Sequence, residues 1–241
     1  MKKKAFVFHG GWAGHYPEVI AKFALEHFLA DYDVDVSDDL ASLETAHLLD
    51  YDVIVPIWTV EKLTVNQEIA LVTAIEHGVG MVTWHGTADA FNENHLFHFV
   101  LGGQFICHPG DFVNYSVEFT AGDDPITVGL SAFKVSSEQY YVHVDPNNDV
   151  LATTRFAGHR YPWLEGKVTP AAWKRTWGKG RVFYHSIGHT VTELAIPEVM
   201  EMTRRGLTWA TRDGDAAQAG KSAAARKSSR AETRATKAES A

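Results

Sequence analysis

Short apolar runs alternate along this chain with stretches whose apolar residues recur at helical spacing. Residues 5–8 form an apolar run stopped by His9-Gly10-Gly11, the pattern of a buried strand ending in a glycine turn. Pro17 then opens a helix at a position where its missing N–H costs nothing. Ile20, Phe23, Ala24, His27 and Phe28 follow at i, i+3, i+4, i+7 and i+8, one buried stripe. Residues 34–36, 53–57 and 79–84 predict further strands. Thr64 with Gln67 spells a capping box ahead of a helix through Ile69, Val72 and Ile75, and Gly78 closes it. Helix follows strand three times before residue 101, which predicts a mainly parallel sheet with helices on both faces.

Beyond residue 101 the pattern turns to β structure with short turns, at 113–119, Val135, 140–144, 150–154, 170–177 and 181–184. That predicts an antiparallel extension with some strands returning to the main sheet. A last helix runs from Pro197 to about residue 210, with Val199, Thr203, Leu207 and Ala210 on one face. Residues 1–212 therefore read as one α/β domain. From 213 to 241 no large apolar residue occurs and alanine dominates, so the segment reads as a disordered, basic, alanine-rich tail. Its Gly214 to Ser222 stretch misses phosphate-loop spacing and follows no strand.

The net charge of −8 changes the functional picture. The last 28 residues hold six basic side chains against three acids, so the acid excess lies in the domain, and nucleic acid is excluded as the main partner. No uncharged apolar stretch approaches the ~18 residues of a membrane span. The basic start, Met1 to Lys4, lacks the long apolar region and cleavage site of a signal peptide. With a single cysteine, Cys107, no intramolecular disulfide is possible, and a cytoplasmic setting is expected.

Thirteen histidines are the unusual count, because imidazole titrates near neutrality and ligates metals. In open parallel sheets, ligands bind beyond the carboxyl ends of the strands. Three predicted strand exits deliver histidine there: His9-Gly10-Gly11, His85-Gly86, and His185 with Gly188-His189. A shared site is expected around His85 and His189, with His9 an open case and His185 equally readable as a buried strand residue. His27 and His47 read as structural, and packing explains His95 and His98 more cheaply than a metal. His108 lies in a loop that either shapes the chain or serves the site. Of the acids, Asp89, Asp145 and Glu138 stand out; Glu138, set among aromatics, would have a raised pKa if buried. His-Glu-x-x-His, Cys-x-x-Cys and Gly-x-Ser-x-Gly are absent, while a composite metal site drawn from several strands stays open.

The ordered motifs of residues 5–210 resemble the ThuA-like (trehalose utilisation) family. The resemblance rests on Gly10-Gly11 with His15, Trp84-His85-Gly86 through Ala90-Phe91, Leu101-Gly102-Gly103-Gln104-Phe105 leading to His108-Pro109, and Asp124-Pro125-Ile126-Thr127 with Gly129-Leu130. It continues through residues 138–141, Pro170-Ala171-Ala172-Trp173, 178–184, Gly188-His189 and 205–210. Asp124 stands where the family usually has histidine, and Ser137 replaces the first acid of an Asp-Glu-x-Tyr pattern. The resemblance implies a flavodoxin-like, class I glutamine amidotransferase-like fold, a three-layer α/β sandwich with a mainly parallel central sheet and here a β-rich extension. At the turn where those amidotransferases place a nucleophilic cysteine, this chain has His85, so their acyl chemistry is not expected.

The resemblance also implies a role in disaccharide catabolism, with a small-molecule sugar as partner. Under acid/base chemistry on a keto-sugar or glycoside, His85 or Glu138 is the base and His189 the partner acid, with Asp89 orienting His85. Gly10, Gly11, His15, Trp84, His108, Tyr140 and Trp173 are the expected substrate-binding residues, and Tyr141 is a further stacking candidate. The alternatives are a metal-dependent (zinc) hydrolase with His85, Glu138 and His189 as ligands, and a non-catalytic sugar-binding module. A homo-oligomer is expected in either case.

Overall fold

The computed structural model describes residues 2–120 and 122–213. The tail read from the sequence therefore lies outside the described residues, apart from Asp213. The elements run β1 (Lys4–Gly11), α1 (Pro17–His27), β2 (Asp33–Ser37), α2 (Ser42–Thr45), β3 (Val53–Thr59), α3 (Val65–Glu76), β4 (Gly80–Trp84) and α4 (His95–Leu101). Then come β5 (Gly103–Cys107), β6 (Phe112–Phe119), β7 (Phe133–Glu138), β8 (Tyr141–Val144), β9 (Asp149–Arg155), β10 (Val168–Trp177), β11 (Gly180–His185), α5 (Val191–Leu194) and α6 (Pro197–Ala210).

Nine strands join in the order β2-β1-β3-β4-β11-β10-β9-β6-β7. The first five are mutually parallel, and every pairing beyond β11 is antiparallel. The parallel half has the doubly wound order of flavodoxin-type sheets, with β11 in the fifth place. β5 and β8 form a separate two-stranded sheet, an element the apolar pattern does not separate from its neighbours.

The period of two along each strand sorts side chains into two cores. On β1, Ala5 and Val7 pack with Ile20 of α1 and Leu207 of α6. Phe6 and Phe8 point the other way, into a cluster with Leu71 and Ile75 of α3 and Phe97 of α4. All seven residues of β3 are buried, which is why this strand reads as a continuous apolar run rather than an alternating one. The capping box at Thr64 and Gln67 is formed, and Gly78, at φ +110°, ends the turn after α3 in a conformation that favours glycine.

His185 belongs to this core and not to a site. Its ring stacks near Trp84 at 6.1 Å, and Nε2 meets the Thr203 hydroxyl at 2.9 Å. Burial pushes its pKa down to about 3, so it is neutral in the folded protein. The unfolded chain takes up that proton near pH 6.5, whereas the native state resists it until about 3. Between those values the unfolded state binds more protons, so stability falls as the pH falls, by up to about 1.4 kcal/mol per unit. Denaturant midpoints measured from pH 7 to 4 are expected to show this slope, and His185→Leu to flatten it. A second expectation concerns helix packing: a Cβ at Gly206 of α6 would overlap the Phe183 ring. Gly206→Ala is expected to cost roughly 1–3 kcal/mol in urea unfolding, without loss of the fold.

Candidate functional site

Four chain segments meet beyond the carboxyl ends of the parallel strands. β1 leads into a 3-10 turn, Ala13–His15, that carries His15. β4 leads into the 3-10 turn His85–Asp89, whose first residue is His85. His189 follows β11, and Glu138 is the last residue of β7, brought in from the antiparallel half. His85 has φ +43°, a left-handed conformation that costs a non-glycine residue on the order of 1 kcal/mol and throws its side chain out of the strand line. Tyr184 holds that strained turn by donating its hydroxyl to the His85 carbonyl at 3.0 Å. Gly86 is required next: a Cβ there would collide with the Thr59 hydroxyl and the His15 ring.

His15, His85, Glu138 and His189 each present one ligand atom, and the four atoms lie within 4.8 Å of one another. Oε2 of Glu138 is 3.2 Å from His85 Nε2, 3.3 Å from His189 Nδ1 and 3.7 Å from His15 Nε2. His85 Nε2 and His189 Nδ1 are 3.3 Å apart. In a tetrahedron with metal–ligand bonds of about 2.0–2.1 Å, neighbouring ligands stand roughly 3.3 Å apart, so most of these spacings fit a zinc-type shell.

The protein fixes which nitrogen faces inward. His85 Nδ1 lies 2.9 Å from the Ser186 carbonyl, which can only accept, so this nitrogen carries the proton and Nε2 turns its lone pair to the centre. His15 Nδ1 meets the Thr59 hydroxyl at 2.8 Å, leaving its Nε2 inward. The His189 backbone N–H donates to Glu193 Oε2 at 2.8 Å, as do the Gly188 N–H and the Ser137 hydroxyl. The acid missing at position 137 is thus met in space by Glu193, through a hydrogen bond.

Burial alone would push the Glu138 carboxyl up, but the imidazoles of His15, His189 and His85 around it outweigh that and hold the group well below the usual carboxylate range. This corrects the expectation of a raised Glu138: its neighbours inside the pocket are imidazoles, and its ionised form is the stable one. An ionised carboxylate set among imidazole nitrogens suits a metal ligand. His15 is pushed down, first by burial and then by the neighbouring His85 and His189, and is neutral near pH 7.

The other expected residues divide. Tyr140 is buried beneath His85, ring on ring at 4.5 Å, with its hydroxyl 3.1 Å from His85 Nε2. His108 sits at the mouth, its Nε2 3.7 Å from Glu138 Oε1 and its Nδ1 3.3 Å from Asp111. Asp89 does not orient His85; its carboxylate accepts from Asn92, and the Ser186 carbonyl does the orienting. Trp173 is fully buried, packed on Tyr184 and donating to the Leu101 carbonyl, so it is core and not a sugar platform. Trp84 is likewise buried, edge-on to Phe28. Tyr141 packs against Phe156, and Asp145 pairs with Arg175. Gly10, Gly11 and His9 line an adjoining groove of about 490 Å³ with Tyr16 and Trp58. Sequence reasoning missed Trp12, Thr59, Phe112, Ser186 and Glu193, none of which carries a local motif.

The sequence matches the ThuA family, described as trehalose utilisation, over residues 4–210. The chain belongs to this family, which ties it to carbohydrate utilisation. Among solved structures, a ThuA-like protein of Parabacteroides merdae superposes with a TM-score of 0.72 at 16% identity, covering 88% of this chain and 90% of that one. One from Bacteroides uniformis gives 0.72 at 20% identity, covering 88% and 93%. A cytoplasmic protein of Salmonella typhimurium gives 0.57 at 14% identity, covering 88% and 100%. These likenesses show the fold. No curated protein matches.

The Glu193 contacts carry a prediction of their own. Glu193→Gln keeps the shape but loses the charge that holds the His189 loop. It is expected to weaken zinc binding roughly 10–100-fold in a chelator competition assay, with the circular dichroism spectrum unchanged. Unchanged affinity would show that His189 is placed without it.

Proposed function

We propose that this ThuA-family chain is a metal-dependent enzyme of carbohydrate utilisation, acting on a keto-sugar or glycoside at the His15–His85–Glu138–His189 centre. The observation that carries this reading is the convergence of three imidazole nitrogens and one carboxylate oxygen within 4.8 Å. Their second nitrogens or backbones are held by Thr59, Ser186 and Glu193. Nitrogen and oxygen donors suit zinc among the divalent ions, and an ion that expands beyond four ligands would keep a place for a substrate oxygen. His15, Glu138 and His189 each keep about a tenth of their side-chain surface in solvent, the route by which a small molecule would reach the cluster. Metal binding is favoured over metal-free acid/base work because the four donor atoms lie within 4.8 Å of one another.

When bound, a divalent ion supplies Lewis acidity toward a carbonyl or hydroxyl oxygen of the sugar. The chain's own residues do the rest. Thr59 and Ser186 fix the ring orientations, and Tyr140, whose hydroxyl burial keeps protonated, stacks beneath the His85 ring. His108, one-third exposed and beside Asp111, is placed to carry protons between the mouth and bulk water. The fold supporting this is the three-layer, flavodoxin-like arrangement, and the reading places the enzyme in the cytoplasm. None of the described helices is long and apolar enough to cross a membrane.

Protein purified without an affinity tag is expected to hold close to one zinc, manganese, cobalt or iron per chain. Stripped with a chelator, it should lose turnover of a 3-keto-disaccharide and regain it on adding the ion back. Glu138→Ala should bind no stoichiometric metal. Wild-type protein that takes up no metal, or turns the sugar over equally well without one, overturns the reading.

A further inference from the structure

Two large aromatic side chains stand half-exposed beside the histidine–glutamate centre, Trp12 and Phe112, each with 52% of its surface in solvent. Neither is loosely placed. The Trp12 N–H donates to the Thr59 carbonyl at 3.2 Å, and its own carbonyl accepts from the His15 N–H. A Cβ at Gly14 would overlap the Trp12 indole, so the glycine lets the backbone lie against that ring and back it. The indole meets the His15 ring edge-on, with centroids 4.8 Å apart.

Phe112 is fixed from the other half of the molecule. It begins β6 and is the direct cross-strand partner of Glu138, so both side chains rise from the same face of the sheet. Its ring meets His189 edge-on at 4.9 Å, and the His15 and His189 rings are themselves 4.8 Å apart. The contacts therefore run Trp12, His15, His189, Phe112, an aromatic ring at each end and the metal ligands between.

Rigid aromatic rings beside a strongly polar centre suit a ligand that is apolar on its faces and polar on its rim. A pyranose ring has that character, with axial C–H groups on the face and hydroxyls at the edge. We propose that Trp12 and Phe112 are the two sugar-stacking walls of the cleft, one for each ring of a disaccharide, so that the linkage between the rings lies over Glu138. This rests on the proposed function for the reacting bond and the sugar class, and adds the two residues that would tell a two-ring glycoside from a single sugar.

The test uses zinc-loaded protein titrated calorimetrically with trehalose and with methyl α-glucoside as probes, with bound zinc measured in parallel. Wild type should bind trehalose at least tenfold more tightly than the monosaccharide. Trp12→Ala and Phe112→Ala should each weaken trehalose binding tenfold or more, with zinc content and melting temperature unchanged, and Trp12→Phe should restore most of the loss. Trehalose binding that is absent from wild type, or unaltered in both alanine variants, overturns the inference. So does a loss in Trp12→Ala that tracks lost zinc, since the indole would then serve only to hold His15. Failure of the proposed function shows instead as no zinc in wild type, a separate readout.

Discussion

Three imidazole nitrogens and one carboxylate oxygen lie within 4.8 Å of one another, and the residues around them are arranged to keep them there. Glu138 is the anionic member, and the imidazoles of His15, His85 and His189 turn toward it. A Ser186 carbonyl and the Thr59 hydroxyl hold the far nitrogens of two rings, so neither ring can rotate to relieve the crowding without breaking a buried hydrogen bond. The left-handed turn at His85 and the bare Cα of Gly86 are further costs accepted to keep those atoms together.

That arrangement sets what the turn after β4 can deliver. The turn swings its first side chain out over the sheet edge. In this chain it presents an imidazole whose backbone is tied down by Tyr184, and Cys107 lies elsewhere, at the end of β5.

How far the sequence revealed all this follows from the range of the interactions. Strand exits that end in histidine and glycine were legible because burial, glycine and strand termination are local signals, and the Thr64 capping box and the Pro197 helix start were legible for the same reason. The two-stranded β5–β8 sheet was not, since its pairing spans residues 103–144 and leaves no periodicity of its own. Glu138 was named from its setting among aromatics, yet its electrostatics were misjudged, because the groups that decide them lie 50 or more residues away in His15, His85 and His189. Thr59, Ser186 and Glu193 act through a single hydroxyl, carbonyl or carboxylate, and nothing in their neighbours distinguishes them. Trp173 misled in the opposite sense, as an aromatic at strand spacing that the fold spends entirely on packing.

β7 is the outermost of the nine strands and pairs only with β6. A terminal strand is the first part of a sheet to open, having one neighbour where interior strands have two. Because its final residue is Glu138, fraying at this border dismantles the centre and draws Phe133 and Val135 out of one apolar core, while the other core, which takes no residue from β7, stays intact. Assembly of the centre and zippering of the last strand are thus one cooperative event, and an ion seated there would act as a clasp on the rim of the sheet.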